Sequence, residues 1–193
     1  MTLTPPPAGA AWRHQDARSG FETVFFEPRD RGWRIAGCTS AVEDDEPWFV
    51  EYVIDVDDTW TTRTAQVDGR SSAGTSSTLL QSDGAGHWRV DGREAPHLDG
   101  CLDVDLESSA MTNAFPMHRM GLEVGARSEA PAAYVRAVGL AVEHLEQTYE
   151  RAADHGAGQS YDYAAPRFDF ACLLVYDDAG LVLDYPGIAI RVR

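Results

Sequence analysis

Glu51-Tyr-Val-Ile-Asp-Val-Asp-Asp-Thr-Trp60-Thr-Thr-Arg-Thr-Ala-Gln-Val67 decides the fold class. Glu51 to Val56 and Trp60 to Val67 are rich in β-branched and aromatic side chains, which fit a pleated, half-buried surface. Between them, Asp57-Asp58 supplies the side-chain caps that a tight turn needs. The stretch therefore reads as a β-hairpin.

The same grammar continues outward. Asp30-Arg-Gly32, Asp68-Gly69, Asp83-Gly84, Asp91-Gly92, Asp99-Gly100 and Asp177-Asp-Ala-Gly180 are further turn markers at short intervals. Phe168 to Tyr176 and Leu181 to Tyr185 form a second hairpin closed by Asp177–Gly180. Trp88 and Val90 alternate with polar neighbours, and Ile188, Ile190 and Val192 make a last strand. Val53-Ile-Asp-Val-Asp-Asp58 and Leu174-Val-Tyr-Asp-Asp178 echo one another, so two β-rich halves are possible. One segment resists assignment. Val138, Val142, Leu145, Tyr149 and Ala152 recur at helical spacing over residues 140–153, while Tyr134, Val138, Leu140 and Val142 suit a strand. The expectation is one mainly β domain over residues 1–193 with few short helices, its first ten residues a flexible lead-in stiffened by Pro5–Pro7.

Composition narrows the function classes. With 193 residues and a 44% apolar share, the chain can bury a core without metals or disulfides. A net charge of −15 argues against nucleic-acid backbones and anionic membranes. Cys38, Cys101 and Cys172 are odd in number and widely spaced, which suits buried reduced thiols and a reducing compartment. The first residues lack a signal-peptide pattern, and no apolar run reaches the ~20 residues of a membrane span. A cytoplasmic protein without stable membrane insertion is expected; its oligomeric state is open.

No catalytic signature is present. His14, His87, His97, His118, His144 and His155 never pair at a metal spacing. Ser108 and Ser109 lack a nucleophile-elbow frame. The Gly-Ala-Gly runs at 84–86 and 156–158 lack the context of a phosphate loop. No metal or other cofactor is expected.

The distinctive stretch is Leu98-Asp-Gly-Cys-Leu-Asp-Val-Asp-Leu106. On a strand, Asp103 and Asp105 share a face. Their mutual repulsion requires compensation from an arginine, backbone donors, a metal or a polar ligand, unless the face is merely solvated. Arg119 is the internal candidate. Thr112-Asn-Ala-Phe-Pro116 reads as a stiff loop with amide hydrogen-bonding capacity at Asn113. Tyr149, Tyr161, Tyr163, Tyr176 and Tyr185, with Gln147 beside the first, offer apolar rings with polar tips.

Across its C-terminal two-thirds the chain resembles the putative glycolipid-binding family, formerly a bacterial domain of unknown function. The resemblance runs through Trp88-Arg-Val-Asp-Gly92, the 98–106 run and Thr112–Pro116 with Arg119. It continues through Gln147-Thr-Tyr149, Tyr161-Asp-Tyr163, Phe168 to Leu173 and Gly180-Leu-Val-Leu-Asp-Tyr-Pro186. Glu22, Gly37, Tyr52 and Trp60-Thr-Thr-Arg63 extend it more loosely to the N-terminal part. Ala114-Phe115 and the glutamates between Tyr134 and Tyr149 depart from the family pattern. The resemblance implies an antiparallel curved sheet or partial barrel like bacterial lipoprotein carriers, enclosing an apolar cavity. It also puts Gln147–Tyr149 on a strand. A glycolipid or other amphipathic small molecule would then meet a polar rim of Asp103, Asp105, Asn113, Arg119, Gln147, Tyr149, Tyr161, Tyr163 and Tyr185. The alternatives are a small hydrolase or isomerase using Asp103 and Asp105 as an acid–base pair, and an interaction protein with no ligand.

Overall fold

The computed structural model describes residues 3–154 and 158–192. His155 and the start of the second Gly-Ala-Gly run lie outside them. Two antiparallel meanders carry the architecture. The first runs through β1 (Gly9–His14), β2 (Ser19–Arg29), β3 (Gly32–Glu43), β4 (Glu46–Val56), β5 (Thr62–Ser71), β6 (Gly74–Ser82), β7 (Trp88–Val90) and β8 (Arg93–Glu94). After it come β9 (Asp103–Leu106), the helix α1 (Ala114–Met120), β10 (Arg127–Glu129), β11 (Ala132–Val135) and β12 (Val142–Leu145). The second meander is β13 (Thr148–Arg151), β14 (Gln159–Ala165), β15 (Phe170–Tyr176), β16 (Val182–Tyr185) and β17 (Ala189–Val192).

The two meanders join where β1 pairs with β17. The result is one sheet of 14 strands, ordered β10-β13-β14-β15-β16-β17-β1-β2-β3-β4-β5-β6-β7-β8. The sheet is antiparallel and does not close, because β10 and β8 remain as edges. Both edge strands are short, which limits the unpaired backbone they present. Strand alternation sets the core: Val50, Tyr52, Ile54 and Val56 of β4 are buried between exposed or half-buried neighbours.

The region between the meanders fills the concave side. β9, β11 and β12 form a separate three-stranded sheet in which β9 and β11 run parallel. Residues 103–117 are buried except for half-buried Glu107. They are tied to strands from both meanders. Val104 N donates to Thr62 Oγ1 of β5 (3.1 Å) and Thr39 Oγ1 of β3 donates to Ser108 O (2.7 Å). From the other side, Tyr176 OH of β15 donates to Asn113 O (3.2 Å). A sheet that reaches one segment from both ends must curve around it. This segment occupies much of the concave side.

Several expectations are corrected. Residues 140–153, open between helix and strand from the sequence, carry strands, in line with the strand that the family resemblance implies: Gly139 and Leu140 have positive φ, and β12 and β13 follow. Of the residues at helical spacing only Leu145 of β12 and Tyr149 of β13 are buried, and Val138 is exposed. Asp68-Gly69 lies inside β5, and the turn sits at Ser72–Ala73, after which Gly74 opens β6 with φ 118°. Thr112–Pro116 is helical, a short 3-10 turn at Met111–Asn113 running into α1. The lead-in is held at its described residues, since Thr4 N donates to Asp178 O (2.9 Å) and Gly9 begins β1. Cys101 is buried, but Cys38 and Cys172 are only half-buried.

The echo between residues 53–58 and 174–178 is a matched pair of turns. Asp57 Oδ1 accepts from Thr59 N and Thr61 N (2.9 and 3.1 Å), and Asp177 Oδ1 accepts from Ala179 N and Leu181 N (both 2.9 Å). The fourth residue of each turn has positive φ: Trp60 at 64° and Gly180 at 71°. His118 of α1 bridges them, its ring stacked on Trp60 (3.7 Å between centroids) and its Nε2 paired with Ala179 O (2.9 Å).

Candidate functional site

β9 delivers Asp103 and Asp105 to one side of the three-stranded sheet, and both are buried. A solvated strand face is thereby excluded. Their compensation differs. Arg119, the penultimate residue of α1, forks onto Asp103 through Nε–Oδ1 (3.2 Å) and Nη2–Oδ2 (2.5 Å). Burial raises the Asp103 carboxyl above the usual range, and Arg119 opposes that rise. Asp105 receives the Thr112 hydroxyl on Oδ1 (2.7 Å) and the Gln147 amide on Oδ2 (2.5 Å). Burial, only partly offset by those donors, lifts its carboxyl to about 6.

A polar network extends behind this pair. Tyr149 OH donates towards Asn113 Oδ1 (3.0 Å) and Gln147 Oε1 (3.3 Å). Tyr161 packs edge-on against both Tyr149 and Tyr176, with the Arg151 guanidinium over its outer side. These tyrosines are held neutral, the hydroxyls of Tyr149 and Tyr176 pushed well up by burial and that of Tyr161 raised by the same cause.

A pocket of about 220 Å³ opens between β9, the end of β14 and the β16–β17 turn. It collects Asp105, Asn113, Tyr163 and Tyr185 from the sequence-derived set, together with Glu107, Tyr134, Phe168, Phe170, Arg18 and Arg136. Asp103, Arg119, Gln147, Tyr149 and Tyr161 do not line it. The first two form the ion pair beside it, and the other three support its wall from behind. A larger cleft of about 750 Å³ lies at Arg13–Ser19 against Val42–Asp45, but it is shallow and has mainly polar walls. The smaller pocket is where carboxylates, amides and rings converge, so it is the better candidate. No group of three or more His, Cys, Asp or Glu side chains among the described residues could hold a metal ion. No helix among them is long and apolar enough to cross a membrane.

Sequence reasoning missed the buried carboxylate at Glu22 as a structural centre. Glu22 of β2 accepts from Tyr52 OH (2.6 Å), Ser109 Oγ and Ala110 N (2.8 Å), which anchors the interior segment to the first meander. Burial raises its carboxyl, and these three donors oppose the rise. Gly37 permits the contact: a Cβ there would stand 2.5 Å from both Cζ and the hydroxyl of Tyr52. Glu107, Arg136 and Phe168 were also missed as pocket residues, because nothing local marks them. They meet only through the β9–β11 pairing and the turn before β15.

Comparison with known proteins agrees with this architecture. A family model described as putative glycolipid-binding matches residues 9–191. A crystal structure of a DUF1089 family protein from Pseudomonas aeruginosa is 30% identical, with TM-score 0.77, covering 100% of this chain and 97% of that one. A beta-barrel-like protein of the domain of unknown function DUF1849 from Brucella abortus is 10% identical, with TM-score 0.56, covering 98% and 96%; that likeness is one of fold alone. No curated protein matches the chain.

Proposed function

Because the chain belongs to the putative glycolipid-binding family, we propose that it is a binding protein that seats the polar head of an amphipathic molecule in the pocket beside β9. The observation that carries this reading is the convergence of Asp105 and Asn113 with Tyr163, Phe170 and Tyr185 on one concave pocket. Rings that face a cavity offer apolar contact to the ring or alkyl part of a ligand, and the carboxylate and amide fix its orientation. At about 220 Å³ the pocket is smaller than the ~300–1,000 Å³ that encloses a drug-sized ligand. It has room for a head group of one sugar-ring size, and an acyl chain would lie outside it.

Acid–base catalysis by Asp103 with Asp105 is the weaker reading. Asp103 spends both oxygens on Arg119 and does not reach the pocket. A purely structural role leaves the aromatic lining of the pocket without a purpose.

Native mass spectrometry of protein purified from its own host tests the proposal. The wild type should carry a co-purifying amphipathic species. Ala165→Trp, which places an indole in the pocket at a buried alanine, should lose it. Clean apo spectra of the wild type in repeated preparations, or equal retention by the filled variant, would refute it.

A further inference from the structure

Asp103 and Asp105 leave one strand on one face, yet only Asp103 has a counter-ion. Arg119 is committed to it. Asp105 is met by a hydroxyl and an amide, both neutral. Among the described residues no basic side chain lies within 4.0 Å of its carboxylate. The two arginines of the pocket lie against other carboxylates. Arg136 Nη1 lies 3.0 Å from Glu107 and its Nε 3.5 Å from Glu143. Arg18 Nε faces Glu43 at 3.7 Å. A buried carboxylate without a cation is a costly arrangement to keep, and this one lines a cavity.

The walls suit the missing charge. Tyr163, Phe170 and Tyr185 pack as three mutually steep rings, with centroids 5.9 to 6.3 Å apart. Aromatic faces attract cations, and closely set rings beside a carboxylate are the usual cage for alkylated ammonium groups. The neighbouring rings of the same pocket already hold a cation: the Arg136 guanidinium lies 5.4 Å from the centroids of both Tyr134 and Phe168. The net charge of −15 favours cation entry over anion entry.

We infer that the head group taken by this pocket carries an alkylammonium charge, with Asp105 as its counter-ion and the rings of Tyr163, Phe170 and Tyr185 as its walls. This rests on the pocket being the ligand site. The ammonium group could belong to a lipid head or to a small free amine, and both present the same chemistry to Asp105.

Isothermal titration with four probes separates the outcomes. Choline chloride should bind about tenfold or more tightly than 3,3-dimethyl-1-butanol, its uncharged isostere, a preference worth one ion pair with its cation–π contacts. Asp105→Asn should abolish that preference. Should Asp105→Asn fail to fold, Tyr185→Leu, which removes a ring and no charge, should cost choline about tenfold and the isostere less. Octyltrimethylammonium binding more tightly than choline would assign the charge to a lipid head; equal affinities would assign it to a free amine. If the isostere or octyl glucoside matches choline, the inference is overturned while the pocket reading stands. Failure of all four probes to bind overturns both.

Discussion

Arg119→Met removes one guanidinium and keeps most of the aliphatic stem, so its effect reports the ion pair inside the fold. Arg119 forks onto Asp103 with contacts of 3.2 and 2.5 Å, and the two side chains are 17% and 3% exposed. That places the pair in the buried class, where removal of one partner costs about 3–5 kcal/mol because a charge is left behind. For a chain of this length each kcal/mol is worth roughly 2–4 °C of melting temperature, so Tm should fall by about 6–20 °C. The loss should depend on pH. Without Arg119 the Asp103 carboxyl loses the influence that opposes its rise, and protonation then relieves the stranded charge. Urea titrations at pH 7.5 and 4.5 measure both effects. The deficit should be large at pH 7.5 and smaller at pH 4.5, and Asp103→Asn combined with Arg119→Met should recover part of it. A loss below about 1 kcal/mol, as for a surface pair, or an equal loss at both pH values would refute the reasoning.

Asp105→Asn should behave oppositely. The folded carboxyl is raised from 3.8 to about 6. Its favourable contribution is therefore complete below about pH 4 and is lost as pH rises through 6. Above pH 7 ionisation costs up to about 3 kcal/mol, so Asp105→Asn should match or exceed wild-type stability at pH 8 and gain nothing at pH 4, as read by thermal melts across that range. Gly37→Ala should destabilise by about 1–3 kcal/mol, the cost of separating Tyr52 from the buried Glu22. Tyr52→Phe should cost a similar amount, and the double variant less than the sum; fully additive losses in urea titrations would show that the two positions do not share one contact.

The strands were legible because period-2 burial and Asp-containing turns are local signals. The Asp57 and Asp177 turns even share their capping geometry, as the short echo between them suggests. Asp68-Gly69 misleads because Gly69 is needed for another reason: a Cβ there would press on Leu140 at 3.2 Å, across the interior. The 140–153 segment misleads because Leu145 and Tyr149, four residues apart, are both buried although they lie on strands of different sheets, β12 and β13. At the candidate site, the identity of Asp103, Asp105 and Arg119 as interacting groups could be read from chemistry, since two like charges on one face require an answer. Which aspartate Arg119 would choose could not, because that depends on where α1 lies over β9. Nor could the burial of residues 103–116. Their polar composition suits a surface, and only the donors from Thr39, Thr62, Gln147 and Tyr176 make their interior position possible.

The central claim is that the pocket beside β9 is the ligand site, and backbone amide shift mapping tests it most directly. Titration of nitrogen-15-labelled protein with octyltrimethylammonium, and separately with octyl glucoside, should move the amides of Asp105–Asn113, Tyr163–Phe170 and Tyr185–Ile188 together, with one affinity, for at least one of the two. Shifts confined to the Arg13–Ser19 and Val42–Asp45 cleft, or no saturable shift with either probe, would contradict it.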